Sequence, residues 1–175
     1  MVKTADRRRD TLRQATEPVV ADFMTTDLVT VTLEMPLIDV VDLMLNKGVS
    51  NVPVVKPTRG GNKLVGLVTE RDCLNCLTDA IFYDDPSITV ESIMKHIPVC
   101  VTPEIDVFTV SSIFTQQGYR HLPVVKKTIL LGIVSRRDVL RGLKDYRLKL
   151  HEMKESERKL PDLREILMNR RLIIK

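Results

Sequence analysis

One pattern is written twice along this 175-residue chain. Met24 pairs with Met94, Val31-Thr32 with Val101-Thr102, and Gly48 with Gly118, at a constant offset of 70. Val52-Pro53-Val54-Val55 pairs with Leu122-Pro123-Val124-Val125 at the same offset. Gly66-Leu67-Val68-Thr69-Glu70-Arg71-Asp72 then pairs with Gly132-Ile133-Val134-Ser135-Arg136-Arg137-Asp138 at an offset of 66, so the second copy is four residues shorter between its strands. Each copy, at roughly 50 to 60 residues, is near the size at which a lone hydrophobic core is marginal. The copies are therefore expected to pack on each other as one body. Two copies are too few for a solenoid.

Within each copy the apolar spacing sets the elements. Leu28 to Val31 and Val99 to Thr102 are β-branched and short, as strands are. Leu37, Val40, Val41, Met44 and Leu45 recur at helical spacing and stop at Gly48; Val107, Val110, Ile113 and Phe114 do so before Gly118. Val52 to Val55 and Leu64 to Thr69 flank a loop over Lys56 to Lys63, and Leu122 to Val125 and Leu130 to Ser135 flank Lys126-Lys127-Thr128. Helices are expected from Asp72 and from about Arg136. Each unit is thus strand, helix, strand, strand, helix, an α+β fold with helices covering a small sheet. The expected organisation is a polar N-terminal helix in 1–19, with its helical stretch over 4–17, repeats at 20–85 and 86–142, and a basic helical tail at 143–175.

Both repeats resemble a cystathionine-β-synthase (CBS) domain. The second carries the resemblance through Gly118-Tyr119-Arg120-His121-Leu122-Pro123-Val124-Val125 and Gly132 to Asp138, the first through Gly48 to Val55 and Gly66 to Asp72. Tandem CBS pairs, or Bateman modules, are similar to this chain from about residue 20 to 142. The resemblance implies two sheets around a pseudo-two-fold axis, with two clefts between the repeats. In that family such clefts commonly bind adenine nucleotides or related ligands and regulate something else.

Asp72 and Asp138 follow a strand by three residues at a helix start. A carboxylate there can accept hydrogen bonds from a ribose diol, or it can cap the helix. Thr69 and Ser135 lie on the same turns and offer hydroxyls to ribose or phosphate. The resemblance implies clefts built across the pair. One would join Asp138 and Ser135 with Thr30, Val31, Asn51, Val52 and Pro53. The other would join Asp72 and Thr69 with Cys100, Val101, Arg120, His121, Leu122 and Pro123. Arg71, Arg137 and Arg120 can grip a phosphate in bidentate fashion, or can be solvated arginines. Cys100 stands where Thr30 stands in the first copy, so the clefts are expected to be unequal.

Composition excludes other classes. The chain is 43% hydrophobic and 29% charged with three cysteines, and it shows no secretory signal and no apolar run of membrane length. A cytoplasmic protein is expected. Residues 21–140 carry 11 basic and 14 acidic groups, whereas 141–175 carry 11 basic and six acidic, so nucleic acid is not expected on the body. Cys73-Leu74-Asn75-Cys76 lacks a second pair to complete a zinc site and reads as helix packing. There is no Gly-rich phosphate loop, nucleophile elbow or zincin motif, so no enzyme activity and no required cofactor are expected. Three readings remain: a regulatory adenosyl-ligand sensor, expected to be a homodimer; an interaction scaffold acting through its basic helical tail on a protein partner; and a nucleic-acid binder using that tail and Arg7-Arg8-Arg9. No helix-turn-helix or aromatic RNA-binding motif supports the last.

Overall fold

The computed structural model describes residues 17–83, 87–96 and 98–159. Its elements run α1 (Leu37–Lys47), β1 (Asn51–Thr58), β2 (Gly61–Thr69), α2 (Glu70–Tyr83), a short α3 (Val90–Ile93), β3 (Lys95–His96), α4 (Val107–Gln117), β4 (His121–Lys126), β5 (Ile129–Ser135) and α5 (Arg136–Lys159). The fold is α+β, as the alternation of short apolar strands and amphipathic helices implies. Nearly all of the expected helix over 4–17, the expected boundary between the repeats at 85 and 86, and the expected tail from residue 160 onward lie outside the described residues.

Helix α1 buries Leu37, Val40 and Met44 on one stripe, and α4 buries Val107, Val110 and Phe114. Leu45, expected to share the α1 stripe, is 74% exposed. Both helices end at a glycine in the left-handed region, Gly48 at φ +62° and Gly118 at φ +71°. Any side chain there would meet the steric penalty that glycine avoids. The hairpins β1–β2 and β4–β5 carry the same irregularity in register, between Val54 and Val55 and between Val124 and Val125. The first hairpin is longer than expected. Its ladder continues through Lys56–Lys63 and Pro57–Asn62 to Thr58–Gly61, so most of the expected loop is strand.

Two expectations are corrected. The resemblance implies two sheets, but β2 and β5 meet at Lys63 and Ile129, which joins the strands in the order β1-β2-β5-β4 with β3 on β2. The expected first strands are also reduced to single parallel bridges, Val31 with Val54 and Val101 with Val124. Val31 N–H donates to the Pro53 carbonyl at 3.0 Å and Val55 N–H to the Val31 carbonyl at 2.9 Å. Val101, Pro123 and Val125 repeat this at 2.9 and 2.9 Å. The next rung would need an N–H on Pro53 or Pro123, and proline has none. The ladder stops there. No backbone N–H among the described residues is bonded to the carbonyl of Val29 or Val99.

The segments leading into the repeats are exchanged. Val20 lies in the core with Val101, Val107, Val110, Leu122, Val124 and Val134 of the second repeat, with Phe23 and Met24 packed beside it. Val90 and Met94 lie in the core of the first, with Val31, Val40, Val52 and Val68. The backbone bonds match at the 70-residue offset: Val107 N–H to Pro18 O and Leu37 N–H to Ile88 O, both 2.9 Å; Val20 N–H to Ile105 O at 2.8 Å and Val90 N–H to Met35 O at 2.9 Å. Each exchanged methionine lies over a strand glycine. A Cβ on Gly132 would stand 2.8 Å from the Met24 sulfur and 2.9 Å from the Thr25 carbonyl oxygen. A Cβ on Gly66 would stand closer still to the Met94 sulfur, and 3.2 Å from the Lys95 carbonyl. Gly132→Ala should therefore destabilise the chain by about 1–3 kcal/mol through overpacking against backbone. Gly66→Ala should cost less where Met94 can turn aside. Urea unfolding of both variants measures the order; equal and negligible losses would mean that the exchanged segments are not closely seated.

Candidate ligand-binding clefts

Asp72 and Asp138 are neither simple N-caps nor free carboxylates. At the β5–α5 turn, Asp138 Oδ2 accepts from Ser135 N–H at 2.9 Å and from the Ser135 hydroxyl at 2.6 Å, while Asp138 N–H donates back to Ser135 Oγ at 3.3 Å. At the β2–α2 turn, Asp72 Oδ2 accepts from Thr69 N–H at 3.0 Å and from the Thr69 hydroxyl at 2.6 Å, with Asp72 N–H to Thr69 Oγ1 at 3.3 Å. These are capping boxes with an aspartate in the third helical position. Such a cap contributes about 1 kcal/mol. The caps consume Oδ2 and leave Oδ1. Asp72 Oδ1 faces Lys95 Nζ at 3.9 Å and Asp138 Oδ1 faces Arg141 Nη1 at 3.6 Å, and both cationic side chains are more than half exposed. Exposed pairs of this kind are weak. One oxygen of each aspartate is thus locked by its helix, and the other remains available.

Two cavities flank the line between the repeats. Cleft one, about 520 Å³, is lined by Thr69, Glu70, Arg71, Leu67 and Ser50–Asn51 from the first repeat, with Lys95, Pro98, Val99 and Gly118 to Leu122. Cleft two, about 270 Å³, is lined by Thr25, Asp27, Leu28, Val29 and Gly48 to Asn51, with His121, Ile133, Ser135 and Asp138. Ser50, Asn51 and His121 line both. Asn51 and His121 open β1 and β4 and pair with Thr69 and Ser135 across their hairpins. The helix starts are tied to the same places, by Glu70 N–H to Ser50 O at 3.0 Å and Arg136 N–H to Arg120 O at 3.4 Å.

Asp138, Ser135 and Asn51 therefore meet on cleft two, and Thr69, Arg71, Arg120, His121 and Leu122 on cleft one. Asp72 stands behind cleft one beside Lys95 and is not on its wall. Val31, Val52 and Val101 put their side chains into the cores, and Pro53 and Pro123 are buried in their strands. The N–H and carbonyl of Val31 and of Val101 are both used in the parallel bridges. Those residues frame the clefts and do not line them. Thr30 is half-buried and lines neither cavity, and Arg137 is exposed beyond both. Cys100 also lies off the walls, its thiol donating to Pro98 O at 3.1 Å and pushed up in pKa by burial. Cys73 faces the first core, 3.8 Å from the Met44 sulfur, and burial pushes its thiol to about 11.

Sequence reasoning missed Asp27, Leu28, Val29, Pro98 and Val99. The readable signal was the proline third in β1 and in β4: it ends the parallel ladder, and the chain just upstream of Val31 and of Val101 becomes cleft wall.

His121 is half-buried, and that burial lowers its pKa below the ordinary 6.5; Arg120 acts in the same direction, while Asp138 and Glu70 oppose it. The folded state thus binds fewer protons than the unfolded chain. The stability this group supports is complete above the unfolded value and is lost as pH falls through the folded one. His121→Gln should flatten the stability profile between about pH 7 and 5. An unchanged slope in chemical denaturation across that range would show that His121 is not held neutral by the fold.

Comparison with known proteins agrees with this geometry. The family model described as "CBS domain" matches residues 20–79 and 90–145. A Methanocaldococcus jannaschii protein, MJ1225, is 27% identical over 135 residues, 77% of this chain and 46% of that one. The inosine-5'-monophosphate dehydrogenase of Korarchaeum cryptofilum is 34% identical over 118 residues, 67% of this chain and 22% of the enzyme. The chain thus spans less than half of these two relatives. Among solved structures, CBSX2 of Arabidopsis thaliana in complex with AMP superposes with a TM-score of 0.64 at 25% identity, over 74% of this chain and 98% of that one. No helix among the described residues is long and apolar enough to cross a membrane. The matched motifs, the doubled hairpins and the two clefts between them make this chain a member of the CBS-domain family, carrying two CBS domains in tandem.

Proposed function

We propose that the chain is a regulatory ligand sensor. It binds an adenine nucleotide or related adenosyl compound between the repeats and passes the signal on through assembly or a partner. The observation that carries this reading is the composition of the cleft walls. Each has apolar residues beside a backbone carbonyl that proline has left without a ladder partner, Val29 in one and Val99 in the other. A flat base needs such an apolar slot, with an acceptor for its exocyclic amine. Asp138 Oδ1 with Ser135, and Thr69 with Asp72 behind it, can accept from ribose hydroxyls. Arg71, Lys95 and Arg120 can take phosphate in cleft one. The AMP complex of CBSX2, which shares this fold at 25% identity, supports the same ligand class. No catalytic step and no cofactor is needed for this role.

AMP should raise the stability of the full chain. At 100 times its dissociation constant the gain is about 2.7 kcal/mol by mass action, read as a shift in melting temperature. No shift with AMP, ADP, ATP or S-adenosylmethionine would favour the scaffold that works through its helical tail.

Assembly as a homodimer has its own support. Four of the exposed large apolar side chains form matched pairs: Ile38 with Phe108 at the 70-residue offset, and Leu74 with Leu140 at the 66-residue offset. They lie on α1, α4, α2 and α5. Leu74 and Leu140 are 67% and 68% exposed, on the two helices whose first turns hold Asp72 and Asp138. The same α2 carries Ile81, Phe82 and Tyr83, whose side chains lie outside those described. A groove of about 330 Å³ beside Leu140, lined by Phe114, Val139 and Leu143, offers a seat for a second copy. Beyond it, α5 continues unbroken past Gly142, and Tyr146 packs edge-on against Phe108 with ring centroids 5.9 Å apart. Such a closed two-fold contact should bury at least roughly 1,000 Å². Light scattering should give a dimer for the parent and a monomer for Leu74→Glu/Leu140→Glu. A parent that is monomeric at micromolar concentration would end the dimer proposal.

A further inference from the structure

The two clefts occupy equivalent places and carry opposite charge. Where cleft one has Lys95, cleft two has Thr25, and where cleft one has Arg120, cleft two has Ser50, each at the 70-residue offset. Arg71 gives cleft one a third cation against a single carboxylate, Glu70. Cleft two has two carboxylates, Asp27 and Asp138, and no lysine or arginine on its wall. Arg141 touches Asp138 Oδ1 at 3.6 Å without lining the cleft, and its side chain is 61% exposed, so water weakens its compensation.

A second observation points to a ligand rather than to a bare acidic cluster. Asn51, which lines cleft two as well as cleft one, is 8% exposed, and its Oδ1 is a buried acceptor without a hydrogen-bond partner among the described residues. An orphaned buried acceptor costs free energy that a ligand donor can recover. With the Asp27 and Asp138 carboxylates on the same wall, Asn51 helps to make cleft two rich in acceptors that no lysine or arginine of the wall offsets. Such a wall repels phosphate and suits N–H and O–H donors and positive charge.

On the basis of the sensor reading above, we infer that the clefts are sorted by charge. Cleft one takes a phosphate-bearing nucleotide. Cleft two rejects phosphate and takes an adenosyl compound with a cationic tail, and the two ligands occupy the pair together. The sorting arises at matched positions of a duplicated fold, so one chain reads two chemically distinct ligands through one architecture.

Calorimetry on the full chain tests this with AMP and S-adenosylmethionine as probes. Each should bind in the presence of saturating amounts of the other. Asp27→Lys, at an exposed position, should weaken S-adenosylmethionine by about tenfold or more, equivalent to about 1.4 kcal/mol, and leave AMP binding at cleft one unchanged. Asp27→Asn, which keeps the side-chain shape, should act in the same direction and more weakly. Arg120→Ala should weaken AMP by about tenfold and spare S-adenosylmethionine. Melting of the unliganded variants checks that they fold. Mutual displacement of the two probes, or undiminished S-adenosylmethionine binding in both Asp27 variants, overturns the sorting. A chain that binds AMP but not S-adenosylmethionine also overturns it, while leaving the sensor reading intact. A chain that binds neither removes the sensor reading and the sorting with it.

Discussion

Each repeat is closed by a piece of chain that precedes the other. Val20 and Val90, both fully buried, sit at equivalent places in the two cores. Each is clamped by backbone bonds to the segment ahead of the helix it covers, Ile105 O for one and Met35 O for the other. A fully buried valine is worth about 1.5 kcal/mol or more, and neither repeat keeps its own. This exchange makes one body of two units that would be marginal apart. It also fixes where the clefts lie. Thr25 bridges Ile133 and Lys95 pairs with Leu67, so the exchanged chain crosses from one repeat to the other along the cleft walls.

Asp72 and Asp138 divide the two oxygens of one side chain between different surroundings. The helix cap uses Oδ2, and Oδ1 meets only an exposed cation. Because Oδ2 is held by both the N–H and the hydroxyl of the cap residue, the side chain is pinned with Oδ1 in a set direction. A carboxylate pinned by its cap has little side-chain freedom left to lose, which in the proposed sensor would lower the entropic cost of binding. In the proposed sensor, an aspartate variant would therefore disturb the cap and the cleft together. The charge set around the pocket separates them, because Arg120 and Asp27 take no part in either cap.

The elements that repeat with a sharp local cause were legible in the sequence. Gly48 and Gly118 end their helices because the left-handed region excludes most side chains, and the valine-rich hairpins follow from apolar runs between turn residues. What was not legible depends on pairing at long range. Leu28 to Val31 has the composition of a strand, but its neighbour offers a proline at the rung it needs, so a single bridge forms. Val31 and Val101 fit the expected cleft by position, yet their side chains are taken by the cores and their backbone groups by the bridge. The exchange was equally hidden. Val20 to Met24 reads as the start of the first repeat, and nothing local says that it packs on the second.

The two copies agree where the fold makes a demand and differ where it does not. Glycine terminators, strand prolines, the register irregularity and the capping boxes all occur twice, because each is set by backbone sterics or hydrogen bonding within one unit, and the methionine-on-glycine contacts occur twice because the exchange does. The wall positions 25, 50 and 51 and their counterparts 95, 120 and 121 answer to no such demand. There the pairs are Thr and Lys, Ser and Arg, Asn and His. A side chain on a cleft wall changes charge without disturbing a core, so the pseudo-two-fold can be kept in the scaffold and broken in the chemistry. Asn51 and His121 lie on both walls at once, where the symmetric scaffold and the asymmetric clefts meet. A group on a shared wall cannot favour a ligand on one side without altering its presentation to the other, and that is the physical link through which two occupants of one pair could sense each other.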